Sequence, residues 1–306
     1  MDSNTTAQHE GFKSGFVALV GRPSVGKSTL LNACYGGKIA ITSKVAQTTR
    51  KRLRAVITTD TSQIILVDTP GLHKPQDALG KTLNQTALLE LNDVEVVAFL
   101  VDATAPIGRG DVWVAKHVHA SSAAYKILVL TKADKASQAQ VNAQLEASSL
   151  LGSFDDTLVV SATQHFGVDE FLHRIEDHLP EGPHWFFDDM DVDATDEELM
   201  SEFIREKILN LTHDEIPHSV AVHIDEVVWR SKKLCSIRAT IMVERAGQKA
   251  IIIGKKAALI KEIGMQARRD IEKLVGAQVF LDLVVRVYPK WRNDQNEIRR
   301  LGYEAE

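Results

Sequence analysis

The sequence predicts an α/β domain on a mostly parallel sheet with one antiparallel strand, followed by a smaller α+β domain. Three observations predict it. Short apolar, β-branched runs alternate with helix-like stretches through roughly the first 180 residues. Seven acidic residues and no basic one fall between 188 and 198. Beyond them the pattern changes to alternating strands and paired helices. In the first part, residues 16–20, 64–67, 96–101, 126–130 and 157–160 are continuous apolar runs, the pattern of strands buried on both faces. Residues 54–58 and 63–67 flank Thr59-Asp60-Thr61-Ser62, a hairpin signal that supplies the antiparallel strand. Pro180, Pro183 and the acidic run place the boundary: a first domain over 14–181, an acidic linker over 182–195, and a second domain over 196–303.

Asp196-Glu197-Glu198 open an amphipathic helix that runs to about residue 212, with the acids at the end where the helix dipole favours them. Residues 219–228 and 236–244 alternate as two strands. A helical pair follows from about Ala258 to Val275, then a strand over 278–287. The order α-β-β-α-α-β predicts a small sheet with helices on one face. Residues 290–301, with Lys290, Arg292, Arg299 and Arg300, read as a C-terminal capping helix.

Composition bounds the function. Of 306 residues, 44% are hydrophobic and 25% charged, which excludes a fully disordered chain. No apolar run reaches the ~18 residues of a membrane-spanning helix. Residues 1–14 read as neither a signal nor a transit peptide. Cys34 and Cys235 lack metal spacing and read as reduced core thiols, which predicts a cytoplasmic protein. The net charge of −5 hides an asymmetry. Residues 248–300 carry 12 basic against 6 acidic side chains, so the rest of the chain sums to −11. A basic segment on an acidic protein suits a local polyanion site.

The strongest chemical signal is Gly21-Arg22-Pro23-Ser24-Val25-Gly26-Lys27-Ser28, which fits G-x-x-x-x-G-K-[ST] between a strand and a helix starting near Thr29. Its backbone N–H groups can cradle phosphates, Lys27 adds a cation, and the Ser28 hydroxyl can ligate magnesium. Asp68-Thr69-Pro70-Gly71 ends another strand. There Asp68 can hold the metal, and the Gly71 N–H can approach a terminal phosphate. Thr131-Lys132-Ala133-Asp134 follows a third strand; Asp134 can accept from N1–H and the 2-amino group of guanine, and the Lys132 stem can lie along the base. Ser161-Ala162 offers a backbone N–H to the guanine carbonyl. Each motif ends a strand, so all converge on one crevice, and the base reader favours guanine over adenine.

With these motifs the first domain resembles translation-associated GTPases of the TrmE–Era group, matching as GRPSVGKS, Gln47-Thr48-Thr49-Arg50, DTPGL, TKAD and SA. The resemblance implies a switch in which Thr48 or Thr49, with Thr49 preferred, closes over magnesium beside the third phosphate. It implies GTP as substrate and GDP as product. Leu72 stands where many related GTPases carry a water-orienting glutamine, so slow intrinsic hydrolysis is expected.

The second domain resembles a type II KH module, and the chain as a whole resembles the Era family of bacterial ribosome-assembly GTPases. A KH domain clamps single-stranded RNA with a GxxG loop at a helix N-terminus. Here Ile253 precedes Gly254-Lys255-Lys256-Ala257, whose last glycine is alanine, and Lys261 and Arg268 are further phosphate partners. The implied partners are the 3′ end of small-subunit ribosomal RNA and the small ribosomal subunit. A monomer is expected, and a peripheral contact with the inner face of the cell membrane stays open. Two rival readings are a non-enzymatic RNA-binding or membrane-associated assembly factor that holds nucleotide as a structural ligand, and an ATP-using enzyme.

Overall fold

The computed structural model of the chain describes residues 11–303 apart from Lys44, Ala46, Gln47, Lys74 and Asp189. Gln47, expected in the threonine-bearing loop, therefore lies outside the described residues. The chain divides into two compact units. The first holds residues up to Lys38, Arg52–Leu72 and Ala87–Asp193; the second holds Ile39–Lys51, His73–Thr86 and the residues from Ala194 on.

In the order of the chain, the elements ahead of the second half are β1 (Lys13–Gly21), α1 (Lys27–Tyr35), β2 (Leu53–Thr58), β3 (Ser62–Asp68), α2 (Ala78–Glu90), β4 (Val96–Asp102), α3 (Arg109–Ala120), β5 (Tyr125–Thr131), α4 (Gln138–Ala147), β6 (Asp156–Val159), α5 (Val168–His178) and β7 (Val192–Asp193). The strands of the first unit form one sheet in the order β6-β5-β4-β1-β3-β2-β7. β1 lies parallel to β3 and β4, β4 to β5, and β5 to β6, while β2 turns back on β3 as the expected antiparallel hairpin. Every residue of β3 and β4 is buried, which explains their unbroken apolar runs. The stretch read as an acidic linker contributes to the sheet. Its Val192 and Asp193 pair with Ala55 and Arg54 as edge strand β7, and Arg54 donates to Asp193 at 3.1 Å. An edge strand needs only one partner, so two paired residues suffice to end the sheet.

The second unit contains α6 (Asp196–Leu211), α7 (Ile216–Ser219), β8 (Ala221–Ser231), β9 (Leu234–Val243), α8 (Ala246–Ile253), α9 (Ala258–Val275), β10 (Gln278–Val287) and α10 (Gln295–Arg300). Its sheet runs β10-β9-β8, with β10 parallel and β8 antiparallel to β9. α6 starts on a reciprocal cap: Thr195 Oγ1 accepts from the Glu198 N–H, and Glu198 Oε2 from the Thr195 N–H. Phe203, Ile204 and Ile208 of α6 pack with Cys235, Ile237, Ala239 and Ile241 of β9 and with Ile263, Ala267 and Ile271 of α9. The short helix α7, with Pro217 in its first turn, occupies the place where a strand was expected to begin at 219. The proline lacks the N–H a ladder needs, and the strand starts two residues later.

Residues 290–301 form the capping segment. Trp291, Ile298, Leu301 and Tyr303 are buried together with Leu79 and Leu83, and the Trp291 indole donates to the Ser219 carbonyl at 2.8 Å. Their cations are largely engaged: Arg292 bonds Asp77 and Glu244, and Arg300 bonds Glu297. Both cysteines are free thiols. Cys235 is buried; Cys34 is half-buried, and desolvation aided by Asp169 pushes its thiol up to about 12.

Candidate functional site

The first site forms where β1, β3 and β5 of the first unit end. β1 leads into the loop 22–26, and α1 begins behind Gly26, which takes a left-handed φ of 108°. Ser24 is also left-handed, at φ 63°. Thr29 sits in the first turn of α1. Lys27 is buried, with its Nζ 3.4 Å from the Arg22 carbonyl inside the loop. Burial pulls its ammonium below the ordinary value, while the nearby Asp68 charge opposes that. A buried cation facing a phosphate-sized nest is poised to pair with an anion. From the end of β3, Asp68 Oδ2 accepts from the Ser28 hydroxyl at 2.6 Å. Two hard oxygens thus converge beside Lys27, a donor set that suits magnesium.

The glycine of the Asp68-Thr69-Pro70-Gly71 loop is required by space. A Cβ at Gly71 would come within 2.9 Å of the Pro23 backbone N and Cα, so only glycine lets the two loops meet. Thr69 anchors its loop by donating to the Leu19 carbonyl at 2.9 Å. Leu72 N–H donates to the Gly21 carbonyl at 3.2 Å, and its side chain, 1% exposed, is packed with Ala18, Val20 and Val97. It is core, and it presents nothing to a water molecule.

The other end of the crevice is built by β5 and the loop after β6. Thr131 Oγ1 lies 2.6 Å from the Val25 carbonyl and 3.1 Å from the Val101 carbonyl, which ties the phosphate loop to two strands. Lys132 donates to the Ser24 carbonyl at 2.7 Å and to Asp102 at 2.6 Å. Ala133 begins a single turn in which Asp134 accepts from the Ser161 hydroxyl at 2.7 Å. That bond holds the Asp134 carboxyl below its ordinary value. The structure therefore brings TKAD and SA together.

Asp102 was not anticipated. Its signal was a carboxylate ending the apolar strand β4, and hydrogen bonds from Lys132 and Thr104 keep it ionised against the burial that would raise its pKa. Asp111 was missed as well. It is fully buried and accepts from Arg22 Nε at 2.7 Å, so the Arg22 side chain is turned toward α3, and what it offers a nucleotide is its main chain.

The threonine-bearing loop differs from expectation. Thr48, Thr49 and Arg50 belong to the second unit. The Thr48 hydroxyl donates to the Val45 carbonyl at 2.7 Å, and the Thr48 carbonyl accepts from Arg205. Arg50, the last residue of the same motif, is 1% exposed and donates to the carbonyls of Val220 at 2.6 Å and His218 at 3.0 Å. It fills the carbonyl-rich end of α7, where the last peptide groups of a helix lack partners.

In the second unit, α8 ends at Gly254 and the loop 254–257 leads into α9. A Cβ at Gly254 would lie 2.9 Å from the Leu259 Cβ, so the glycine is sterically fixed. Lys256 and Ala257 both take left-handed conformations, at φ 53° and 59°. Ala257 adopts positive φ although its Cβ disfavours it; the Ala257 N–H to Gly254 carbonyl bond at 3.1 Å holds the turn. Lys255 and Lys256 are exposed and Ile253 is half-buried. Beside the loop, Ile260, Lys261, Gly264, Met265 and Arg268 of α9 face Phe280, Leu281 and Leu283 of β10 across a groove of about 460 Å³. Lys261 and Arg268 were foreseen. Met265, 47% exposed, and Phe280, 64% exposed, were not; the available signal was an apolar residue at helical spacing between two cations.

Comparison with known proteins matches this geometry. The family model described as 50S ribosome-binding GTPase fits residues 16–132, and the KH domain model fits residues 215–292. GTPase Era of Leuconostoc citreum (strain KM20) is 43% identical over 296 residues, 96% of this chain and 98% of its own. The chain belongs to the Era family of GTPases. Two solved Era structures agree. One is Era in complex with MgGDPNP and nucleotides 1506–1542 of 16S ribosomal RNA, with TM-score 0.92 and 36% identity. The other is a point variant of Aquifex aeolicus Era bound to GDP·AlF4−, with TM-score 0.91 and 36% identity. Each covers 96% of this chain and 100% of its own. The fold is thus that of an Era GTPase, a nucleotide-binding domain followed by a KH domain.

Proposed function

We propose that this Era-family GTPase is a magnesium-dependent switch that hydrolyses GTP and grips the 3′ end of small-subunit ribosomal RNA, assisting maturation of that subunit. One observation carries the catalytic reading: buried Lys27 stands beside the 2.6 Å pair of Ser28 and Asp68, while the ionised Asp134 is set at the base end of the same crevice. In this reading residues 14–181 bind nucleotide, 182–195 link, and 196–303 bind RNA. Ser28 and Asp68 hold magnesium, joined by Thr49; the Thr48 hydroxyl is turned back on its own loop, which supports that choice.

Bound magnesium supplies charge neutralisation on the phosphates. The chain's own groups do the rest. Lys27 pairs with the terminal phosphates, and the N–H groups of residues 24–28 and Gly71 stabilise charge on the transferred phosphoryl group. Asp134 accepts from N1–H and the 2-amino group of guanine, and the Ala162 N–H meets the base carbonyl. With Leu72 in the core, water must be oriented by backbone, by a switch residue or by a partner, so intrinsic turnover is slow. On the RNA side, the loop 254–257 takes the sugar-phosphate backbone, Lys261 and Arg268 contact phosphates, and Met265 and Phe280 offer apolar surface to bases.

The protein acts as a monomer in the cytoplasm. No helix among the described residues is long and apolar enough to cross a membrane, and the ion pairs of Arg292 and Arg300 support a capping role for the C-terminal stretch over a membrane contact. Steady-state phosphate release from GTP tests the proposal: Lys27→Ala should lower the rate at least ~100-fold, on the order of the loss of a transition-state charge contact. A rate equal to that of the wild type would favour a non-enzymatic assembly factor.

A further inference from the structure

The hairpin between β8 and β9 carries features that neither the nucleotide crevice nor the RNA groove uses. Its sequence, Trp229-Arg230-Ser231-Lys232-Lys233-Leu234, holds three cations and no acid. Ser231 pairs with Leu234 across a two-residue turn, and the ladder shifts register just before it. All six residues are exposed, with Trp229 51% and Leu234 38% open to solvent. Arg230, Lys232 and Lys233 have no ion-pair partner among the described residues, and the same holds for exposed Lys273 in the last turn of α9. The nearest acids are occupied or remote in the ladder: Asp225 accepts from Thr240, Asp282 from Arg238, Glu272 from the Val279 N–H, and Glu226 lies beyond Trp229 on β8. Unpaired cations around a half-exposed indole, with no nearby neutralising charge, form a surface that favours a polyanion carrying stackable rings.

The fold joins this surface to the groove. The Gln278 N–H, at the start of β10, donates to the Lys233 carbonyl at 3.1 Å. Phe280, at the groove's edge, follows two residues later, roughly 7 Å along the strand. On the facing helix, Lys273 lies about 7.5 Å beyond Arg268 along the axis of α9 but, five residues on, about 140° around it, so it is not in line with the groove cations. The link from the groove to the hairpin turn is therefore the β10 edge, through Phe280, Gln278 and Lys233.

We propose that the β8–β9 hairpin is a second RNA-contact surface, which takes the phosphate backbone of nucleotides that continue beyond the groove, with Trp229 as a stacking platform. The proposal rests on the reading of the groove as an RNA site. A KH loop clamps about four nucleotides, so an RNA confined to the groove does not reach the hairpin, whereas a longer one does.

Fluorescence anisotropy on the full chain separates the two surfaces. One probe is a five-nucleotide segment of the 16S rRNA 3′ tail; the other is the same segment extended by ten nucleotides on each side. In the triple variant Arg230→Ala, Lys232→Ala, Lys233→Ala, affinity for the extended RNA should fall about tenfold or more, and the slope of log K against log salt should drop by about 2, the share of three released contacts. Affinity for the short RNA should change less than twofold, which also verifies folding. Trp229→Ala should weaken the extended RNA at unchanged salt slope. Equal losses on both probes, or no loss on the extended one, overturn the proposal. So does a loss confined to binding of phosphatidylglycerol vesicles, which would make the hairpin a membrane contact. If the wild type binds the extended probe through the hairpin but ignores the short one, the groove reading fails and the hairpin stands. Binding of neither probe overturns both.

Discussion

In the proposed function, Asp134 is the single residue that sets specificity. Its carboxylate must be ionised to accept two N–H groups of guanine, and the Ser161 hydroxyl stabilises that form from 2.7 Å. The sign follows from the depressed pKa: guanine binding is present above it and is lost as pH falls through it. Ser161→Ala should return the carboxyl toward its ordinary value, so the pH at which GDP affinity declines should move upward; titration of GDP binding across the acid range reads this. Asp134→Asn inverts the donor pattern and should shift preference from guanine to xanthine nucleotides in a competition assay, whereas unchanged guanine preference would contradict the assignment. Thr131 makes the related point that a hydroxyl can do structural work at this position, since it ties Val25 and Val101 together.

At the scale of elements, the loops store the strain. Ala257 sits at φ 59°, a conformation that costs a residue with a Cβ roughly 1–2 kcal/mol. Ala257→Gly removes that cost but frees the unfolded chain by about 0.5–1 kcal/mol. The net expectation is a gain of about 0–1.5 kcal/mol, the difference of those two effects, read as slower hydrogen exchange in the first turn of α9. Arg50 is the opposite case. Removing its guanidinium leaves the carbonyls of Val220 and His218 without their donor in a buried place. Arg50→Gln should lower the local stability of β8 and β9 by about 2–4 kcal/mol, seen as faster amide exchange there with β3 and β4 unchanged.

The elements also show what the sequence could carry. Fully buried strands announce themselves as unbroken apolar runs, and the capping acids announce the start of α6, so the α/β sheet and the order α-β-β-α-α-β were legible; the helical pair was misplaced, since 258–275 is the single helix α9 and α8 lies before it at Ala246–Ile253. The phosphate loop, Asp68 and Asp134 were legible because their chemistry demands fixed residue types at strand ends. Strand β7 was not, since two residues carry no period. Nor were Arg50, Asp111 and Asp102, whose partners lie far along the chain; one guanidinium or carboxylate gives no hint of which buried carbonyl or cation it will meet.

For the molecule as a whole, the two modules matter together only if nucleotide state changes the grip on RNA. The division of the chain bears on this: segments 39–51 and 73–86 join strands and helices of the nucleotide domain, yet they take their packing from the second unit, with Ile41 in its core and Leu79 and Leu83 beside Trp291. In the proposed switch, a rearrangement of residues 39–51 over the third phosphate changes their packing within the second unit, which supplies the differential affinity that coupling needs. The most direct measurement is equilibrium binding of a single-stranded copy of the 16S rRNA 3′ tail to the full chain, loaded with magnesium and either a non-hydrolysable GTP analogue or GDP. Coupling of ordinary size, about 1–3 kcal/mol, predicts RNA affinity at least about fivefold higher with the GTP analogue. Equal affinity in the two states would contradict the account of this protein as a switch.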